Sequence, residues 1–278
     1  MVALRVRRKS FQRRYRDGTK ALLRLAGRLP ERPTPDDIHD VRVTARRIQV
    51  MRKLLPKIVR ESQASISYDL ALKSALRSTS QLRDIDTLMD TLVAHRANLP
   101  TELLLSLENQ RSDAAARAKT ASSAVAETPV PDLDRSDTKG KRLSRMLRKR
   151  AKKRVSAASR LLSEVLNDES KAEELHSLRK EVKKLRYLLE LDDGTSRRLP
   201  ALAKWQDTLG AIHDLDVAVS YLERSRFETK PKAIQELREA RHGNYVRFVR
   251  DYHAALIEPF GGPKAPLTAS VGPDIAAH

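Results

Sequence analysis

Apolar residues recur every three or four positions along most of the chain, and the prolines that would break a helix interior fall between those periodic stretches. Pro30, Pro33, Pro35, Pro56, Pro100, Pro129, Pro131, Pro200, Pro231 and a group from Pro259 mark the gaps. Between them lie segments rich in Leu, Ala, Arg, Lys and Glu, which are good helix formers. The long proline-free stretch 131–200 needs a further stop, and Asn167-Asp168-Glu169-Ser170 supplies it, with Ser170 and Glu173 spaced as a capping box. The pattern predicts eight helices, over 1–29, 36–55, 57–99, 101–126, 138–167, 170–192, 199–228 and 232–257.

These helices divide four and four, and the two sets carry the same signatures in the same order. The second helix of the first set contains His39-x-x-Arg42-x-x-x-Arg46-Arg47, and that of the second set His176-x-x-Arg179-x-x-x-Lys183-Lys184, at an offset of 137 residues. The third helices carry Asp84-x-Asp86 and Asp214-x-Asp216, at an offset of 130, so the first copy of that helix is expected to be two turns longer. The expected fold is therefore all-α, with two pseudo-symmetric four-helix bundles arising from an internal duplication. One domain is expected over 1–258, comprising a first half 1–126, a linker 127–137 and a second half 138–258. The Gly- and Pro-bearing tail 259–278 is expected to be disordered.

Charge gives these helices a purpose. The chain of 278 residues carries 55 Lys and Arg against 36 Asp and Glu, a formal net charge of +19, which favours a polyanionic partner. Arg42, Arg46 and Lys53 stay within about 40° of one another around a helix axis, and Arg179, Lys183 and Arg186 within about 60°. Both ladders leave a separate apolar stripe, Val41, Ala45, Ile48 and Leu55 in one helix and Leu178, Val182, Leu185 and Leu189 in the other. The first helix of each set adds more cations. Residues 1–16 hold seven Arg or Lys and no acid, and Lys139 to Arg154 hold ten and no acid. A run of like charge costs folding free energy, so a surface that recruits a linear polyanion explains its recurrence better than solubility alone.

Other chemistries find little support. Cysteine is absent, which removes disulfides, thiolate metal sites and thiol nucleophiles and fits a reducing cytoplasm. No run of eighteen apolar residues occurs, and no apolar stretch follows the basic start, so neither a membrane span nor a secretory signal is expected. Gly-rich phosphate loops and hydrolase signatures are missing, so no enzyme activity is expected. Asp36 and Glu173 lie one turn before His39 and His176, but both fall in first turns where a carboxylate meets the helix dipole. An Arg three residues beyond each His repels a cation, and neither a metal nor a cofactor is expected. Trp205, Tyr187 and Phe248 read as core. His213, beside Asp214, reads as a packing or ligand-contacting imidazole.

The His-x-x-Arg motifs with their basic pairs, the segment Arg186-Tyr187-x-x-Glu190 and the two Asp-x-Asp segments together resemble the CHAD family, the conserved histidine α-helical domain, over about residues 1–258. The resemblance implies a pseudo-symmetric helical protein that binds inorganic polyphosphate along a basic surface or channel and associates with polyphosphate granules. It points to His39, Arg42, Arg46, Arg47, His176, Arg179, Lys183, Lys184 and Arg186 as ligand contacts. Lys53 extends the first ladder, and Arg8, Arg145, Arg148 and Lys152 are the candidates from the first helix of each half. Asp84 and Asp214 are expected to orient arginines of the second helices from behind. Gln49 stands where the second half has Arg186, so the first ladder lacks a rung. The runner-up reading is a basic scaffold that holds RNA or ribonucleoprotein through phosphates. A third is a metal-dependent polyphosphate hydrolase.

Overall fold

The computed structural model describes residues 4–95, 99–134, 136–194, 198–225 and 231–254. Within them the chain forms nine helices and no strand: α1 (Arg8–Gly27), α2 (Pro35–Arg52), α3 (Lys57–Arg60), α4 (Gln63–Ala94), α5 (Thr101–Glu127), α6 (Gly140–Val165), α7 (Ala172–Leu189), α8 (Leu199–Arg224) and α9 (Pro231–Ala254). The fold is all-α, as the periodicity predicts. The tail 259–278 lies outside the described residues.

Three departures from the expected boundaries have local causes. The helix expected over 57–99 is divided, because Ser62 accepts a hydrogen bond from the backbone N–H of Ser65 and so caps α4 after the single turn of α3. The expected capping box at Ser170 and Glu173 does not form. Asp168 takes both the backbone N–H (3.0 Å) and the hydroxyl (2.6 Å) of Ser170, which leaves Lys171 as N-cap of α7 without a side-chain cap. A capping box occurs instead at α2, where Thr34 and Asp37 exchange hydrogen bonds around Pro35 at the first helical position.

The third departure concerns the start of the chain, which is not helical before Arg8. Leu4 and Val6 are buried while Arg5 and Arg7 are exposed, the period-two alternation of an extended segment. The backbone of this segment is satisfied by the second half of the molecule. Arg5 N–H donates to Asp192 (2.7 Å), Val6 N–H to Ser144 (2.9 Å), Asp193 N–H to the Arg5 carbonyl (2.8 Å), and Arg148 to the Leu4 carbonyl (3.1 Å). A Cβ on Gly140 would stand 3.0 Å from the Val6 carbonyl, so the first turn of α6 needs a glycine to let the segment lie this close.

Helices α1, α2, α4 and α5 pack around one another, and α6 to α9 form the second group, closed by the Tyr245 hydroxyl donating to the Val165 carbonyl (2.7 Å). The groups meet along α2 against α7 and α4 against α8. A separate apolar cluster ties the far ends together, with Leu88, Leu92, Leu103 and Leu107 against Leu215, Leu222 and Leu237. Trp205 and Phe248 are core residues in edge-to-face contact at 5.6 Å.

Two matched clamps brace the groups. Arg111 of α5 donates to Asp86 of α4 (2.7 Å) and to the Pro33 carbonyl (2.9 Å), just ahead of α2. Arg241 of α9 donates to Asp216 of α8 (3.0 Å) and to the Glu169 carbonyl (2.6 Å), just ahead of α7. Each clamp thus fixes the entry of the helix that carries a basic ladder. The second aspartate of each Asp-x-Asp segment, buried at Asp86 and partly exposed at Asp216, is tied down by its clamp. It anchors an arginine from the fourth helix of its set.

Candidate anion-binding site

The apolar stripes of α2 (Ile38, Val41, Ala45, Ile48, Met51) and α7 (Leu175, Leu178, Val182, Leu185, Leu189) are buried in their own groups. Burying those stripes turns the basic faces of the two helices toward their shared boundary. Arg42, Arg46, Arg179, Lys183 and Arg186 are all half-buried there. Lys183 is the meeting point. Burial, followed by the positive fields of Arg179, Arg42, Arg46 and Arg186, brings its ammonium down to about 8. Two of those arginines stand on α2 and two on α7, so the ladders of the two halves form one field.

The field continues outward. Lys53 is lowered by burial and then by Arg46, Arg150, Arg154 and Lys184, and Arg150 by burial and then by Arg60 and Arg154. The buried Nε atoms of Arg60, Arg150, Arg179 and Arg186 have no hydrogen-bond partner, nor has Nδ1 of His176. Buried donors without partners are uncommon in folded proteins, and four guanidinium N–H groups along one seam suit an incoming oxyanion.

Carboxylates pin part of this seam. Glu181 accepts from Arg154 (2.8 Å) and Lys184 (2.7 Å), and Glu190 from Arg47 (3.1 Å), with Arg186 at 3.7 Å. Burial opposes ionisation of Glu181, but these two hydrogen bonds outweigh it and hold the carboxyl below its ordinary range. Arg42 donates to Ser80 (2.5 Å), and Arg46 reaches Gln49 (3.1 Å), the residue in place of the missing rung.

Asp84 and Asp214 are raised, first by burial, against the lowering fields of Arg179, Lys183 and Arg83, with Arg42 acting on Asp84 as well. Water reaches Asp84, yet enough protein surrounds it for desolvation to dominate. Neither carboxylate makes a hydrogen bond or ion pair with an arginine of α2 or α7. The expectation that they hold those side chains in contact is corrected: they act on them only through the field.

The remaining expected residues separate. His176 is half-buried and stacks on His213, ring centroids 4.1 Å apart, whereas His39 is exposed. Arg83 stands in the first half where the second has His213, so His39 has no such ring to pack on. Burial, then His176, Arg179 and Lys180, push His213 down to about 4, and burial, then Lys180 and Arg179, lower His176. Arg8 and Lys152 are exposed. Arg145 and Arg148 line another opening of about 790 Å³ with Arg5, Arg7, Lys139 and Arg142, and no residue of α2 or α7 contributes to its wall. From α6 it is Arg150 and Arg154 that join the seam, with Arg60 from α3, and none of these was singled out from the sequence. For Arg150 and Arg154 the sequence signal is their position one residue before and three residues after the apolar Ala151, and Arg60 carries none. Tyr187 is buried as expected, though its ring also underlies the guanidinium of Arg186 at 5.5 Å.

Among the described residues no group of three His, Asp or Glu converges as a metal site would require, and no helix is long and apolar enough to cross a membrane.

The sequence model of the CHAD domain matches residues 16–223, which contain both ladders and both Asp-x-Asp segments. The chain belongs to the CHAD domain family. The crystal structure of the CHAD domain from the plant Ricinus communis is similar over 92% of this chain and 94% of that one, with a TM-score of 0.54 and 18% identity, a likeness of fold. No curated protein matches. Within this CHAD chain the family match takes in α2 to α7 and most of α1 and α8, so the whole seam lies inside it.

Proposed function

We propose that this CHAD protein binds inorganic polyphosphate, without catalysis, along the seam between α2 and α7, and that this binding associates it with polyphosphate granules. The observation that carries the reading is the merging of two cationic ladders around Lys183, beside guanidinium N–H groups that make no hydrogen bond. A flexible chain of phosphates offers an oxyanion at every unit, and such a ligand gains from a row of donors rather than from one pocket. Among the described residues Tyr187 is the one Phe, Tyr or Trp ring in contact with a ladder arginine, and it is buried beneath Arg186, so bases of an RNA would find no such exposed ring to stack on there.

The test is a titration of labelled polyphosphate against wild type, against Arg46→Glu with Lys183→Glu, and against Lys20→Glu with Lys232→Glu on exposed positions. The seam pair is expected to lose far more affinity at equal helicity, and equal losses would refute the assignment. Competition by single-stranded RNA at equal phosphate concentration is expected to be weak. Full displacement would favour the RNA scaffold, and release of orthophosphate with added magnesium would favour an enzyme.

A further inference from the structure

One opening outside the seam is lined by cations with no carboxylate among them. The cavity of about 790 Å³ at the start of α6 takes seven of its eleven lining residues from Arg and Lys. Arg5 and Arg7 come from the extended segment before α1, and Lys139, Lys141, Arg142, Arg145 and Arg148 from α6 and its N-cap. Two other openings also carry cations, but each includes an acid, Asp132 in one and Glu223 in the other.

The walls of this cavity are fixed. Asp192 and Asp193 accept the backbone N–H groups of Arg5 (2.7 Å) and Arg7 (2.5 Å), so both side chains project from a pinned backbone. Arg148 donates to the Leu4 carbonyl (3.1 Å) and joins the segment to α6. The helix end between them is left positive. α2 opens with Asp36 and Asp37 and α7 with Glu173 and Glu174, whereas α6 has no acid in its first turn and no side-chain cap on Lys139. Crowding cations at a helix N-terminus costs folding free energy, and a bound anion offsets that cost.

The lining also selects the ligand. A volume of this size suits a small molecule, about 300–1,000 Å³ being usual. The side chains include no ring to stack on a base and no carboxylate to accept from the hydroxyls of a sugar. Cations on both walls and at the helix end call for negative charge on several sides of a compact body. We infer that this opening is a second anion site, which takes a compact polyol phosphorylated on several carbons. No residue of α2 or α7 lines it, and the inference does not rest on the polyphosphate reading.

The test titrates the full chain with myo-inositol hexakisphosphate by calorimetry, at about 0.15 M salt to screen distant charges. A saturable site is expected in wild type. Arg5→Ser with Arg142→Ser should weaken it about tenfold, the scale of two exposed ion pairs, at equal helicity. Arg46→Gln with Lys183→Gln in the seam should leave it unchanged. ATP, with its phosphates at one end, should bind about tenfold more weakly, since it cannot meet both walls. A map that needs no variant comes from acetylating lysines with a succinimidyl ester and reading the peptides by mass spectrometry. The hexakisphosphate should protect Lys139 and Lys141 but not the exposed Lys20 and Lys232. No saturable binding, a loss in the seam pair equal to that in the Arg5 and Arg142 pair, ATP binding as tightly, or uniform protection would each overturn the inference. Failure of the polyphosphate reading shows elsewhere, as polyphosphate binding that survives the seam substitutions.

Discussion

His213 offers a direct measure of how burial, joined by the cations of the basic seam, acts on one of its residues. Its ring is stacked on His176 and faces Arg179 and Lys180, and burial with these neighbours brings it down to about 4 from an ordinary 6.5. The lowered value belongs to a base, so the unfolded chain takes up this proton more readily than the native one. Stability must therefore fall as pH drops through the window from 6.5 to 4 and level off below it. Integrating the proton difference from about pH 7 to about pH 5 gives about 2 kcal/mol, and the water that still reaches the ring reduces the expectation to about 1.5 kcal/mol. The assay is urea denaturation of wild type and of His213→Gln at both pH values. Loss of the stacking contact shifts the variant equally at the two values and cancels in the double difference, and His176 keeps the Lys180 and Arg179 neighbours that lower it. Wild type should lose about 1.5 kcal/mol more than the variant on acidification. An identical pH dependence for the two proteins would show that neither burial nor the neighbouring cations lower His213 and would refute this reasoning.

The remaining predictions follow from the same geometry. Polyphosphate neutralises the cations that depress both imidazoles, so its affinity should rise between about pH 7 and about pH 5, and titrations at several pH values would show it. Glu190→Gln frees Arg47 and Arg186 from their carboxylate and should tighten polyphosphate binding by about threefold, the scale of a partly exposed ion pair. Arg52 is fully buried, donating to Asp69 (2.5 Å), Tyr15 (3.0 Å) and the Ser65 carbonyl (3.0 Å). Its replacement by Met strands those partners and should cost about 3 kcal/mol in urea denaturation while polyphosphate affinity is unchanged. Asp86→Ala leaves Arg111 without its carboxylate and should cost about 3 kcal/mol in urea denaturation, whereas Asp216→Ala should cost less, because Arg241 keeps Glu169 at 3.7 Å and Asp216 is the more exposed of the two carboxylates.

Reading the sequence was most reliable where a single helix decides the outcome. Apolar spacing located all the long helices, and the residues of each core stripe in α2 and α7 are buried as their period requires. It failed where two short-range signals compete. Asp168 captured the Ser170 hydroxyl before it could cap α7, and the alternation of Leu4, Arg5, Val6 and Arg7 was overshadowed by the basic run that follows. From Lys139 to Arg154 ten cations crowd sixteen positions, and spacing offered no reason to prefer Arg150 and Arg154 over Arg145, Arg148 and Lys152.

From the sequence alone came the helical class, the family, the two ladders and the excess of positive charge, because each depends on composition, on motif spacing or on angular position about one helix axis. Tertiary structure decided that the ladders face each other across α2 and α7, that Asp86 and Asp216 brace the arginines of other helices, and that His176 has a stacked partner while His39 has none. The period of a helix sets where a side chain points relative to its own axis. Which neighbour lies in that direction is settled only when the cores of both groups are packed, since burial of the apolar stripes leaves the charged faces no other boundary to share.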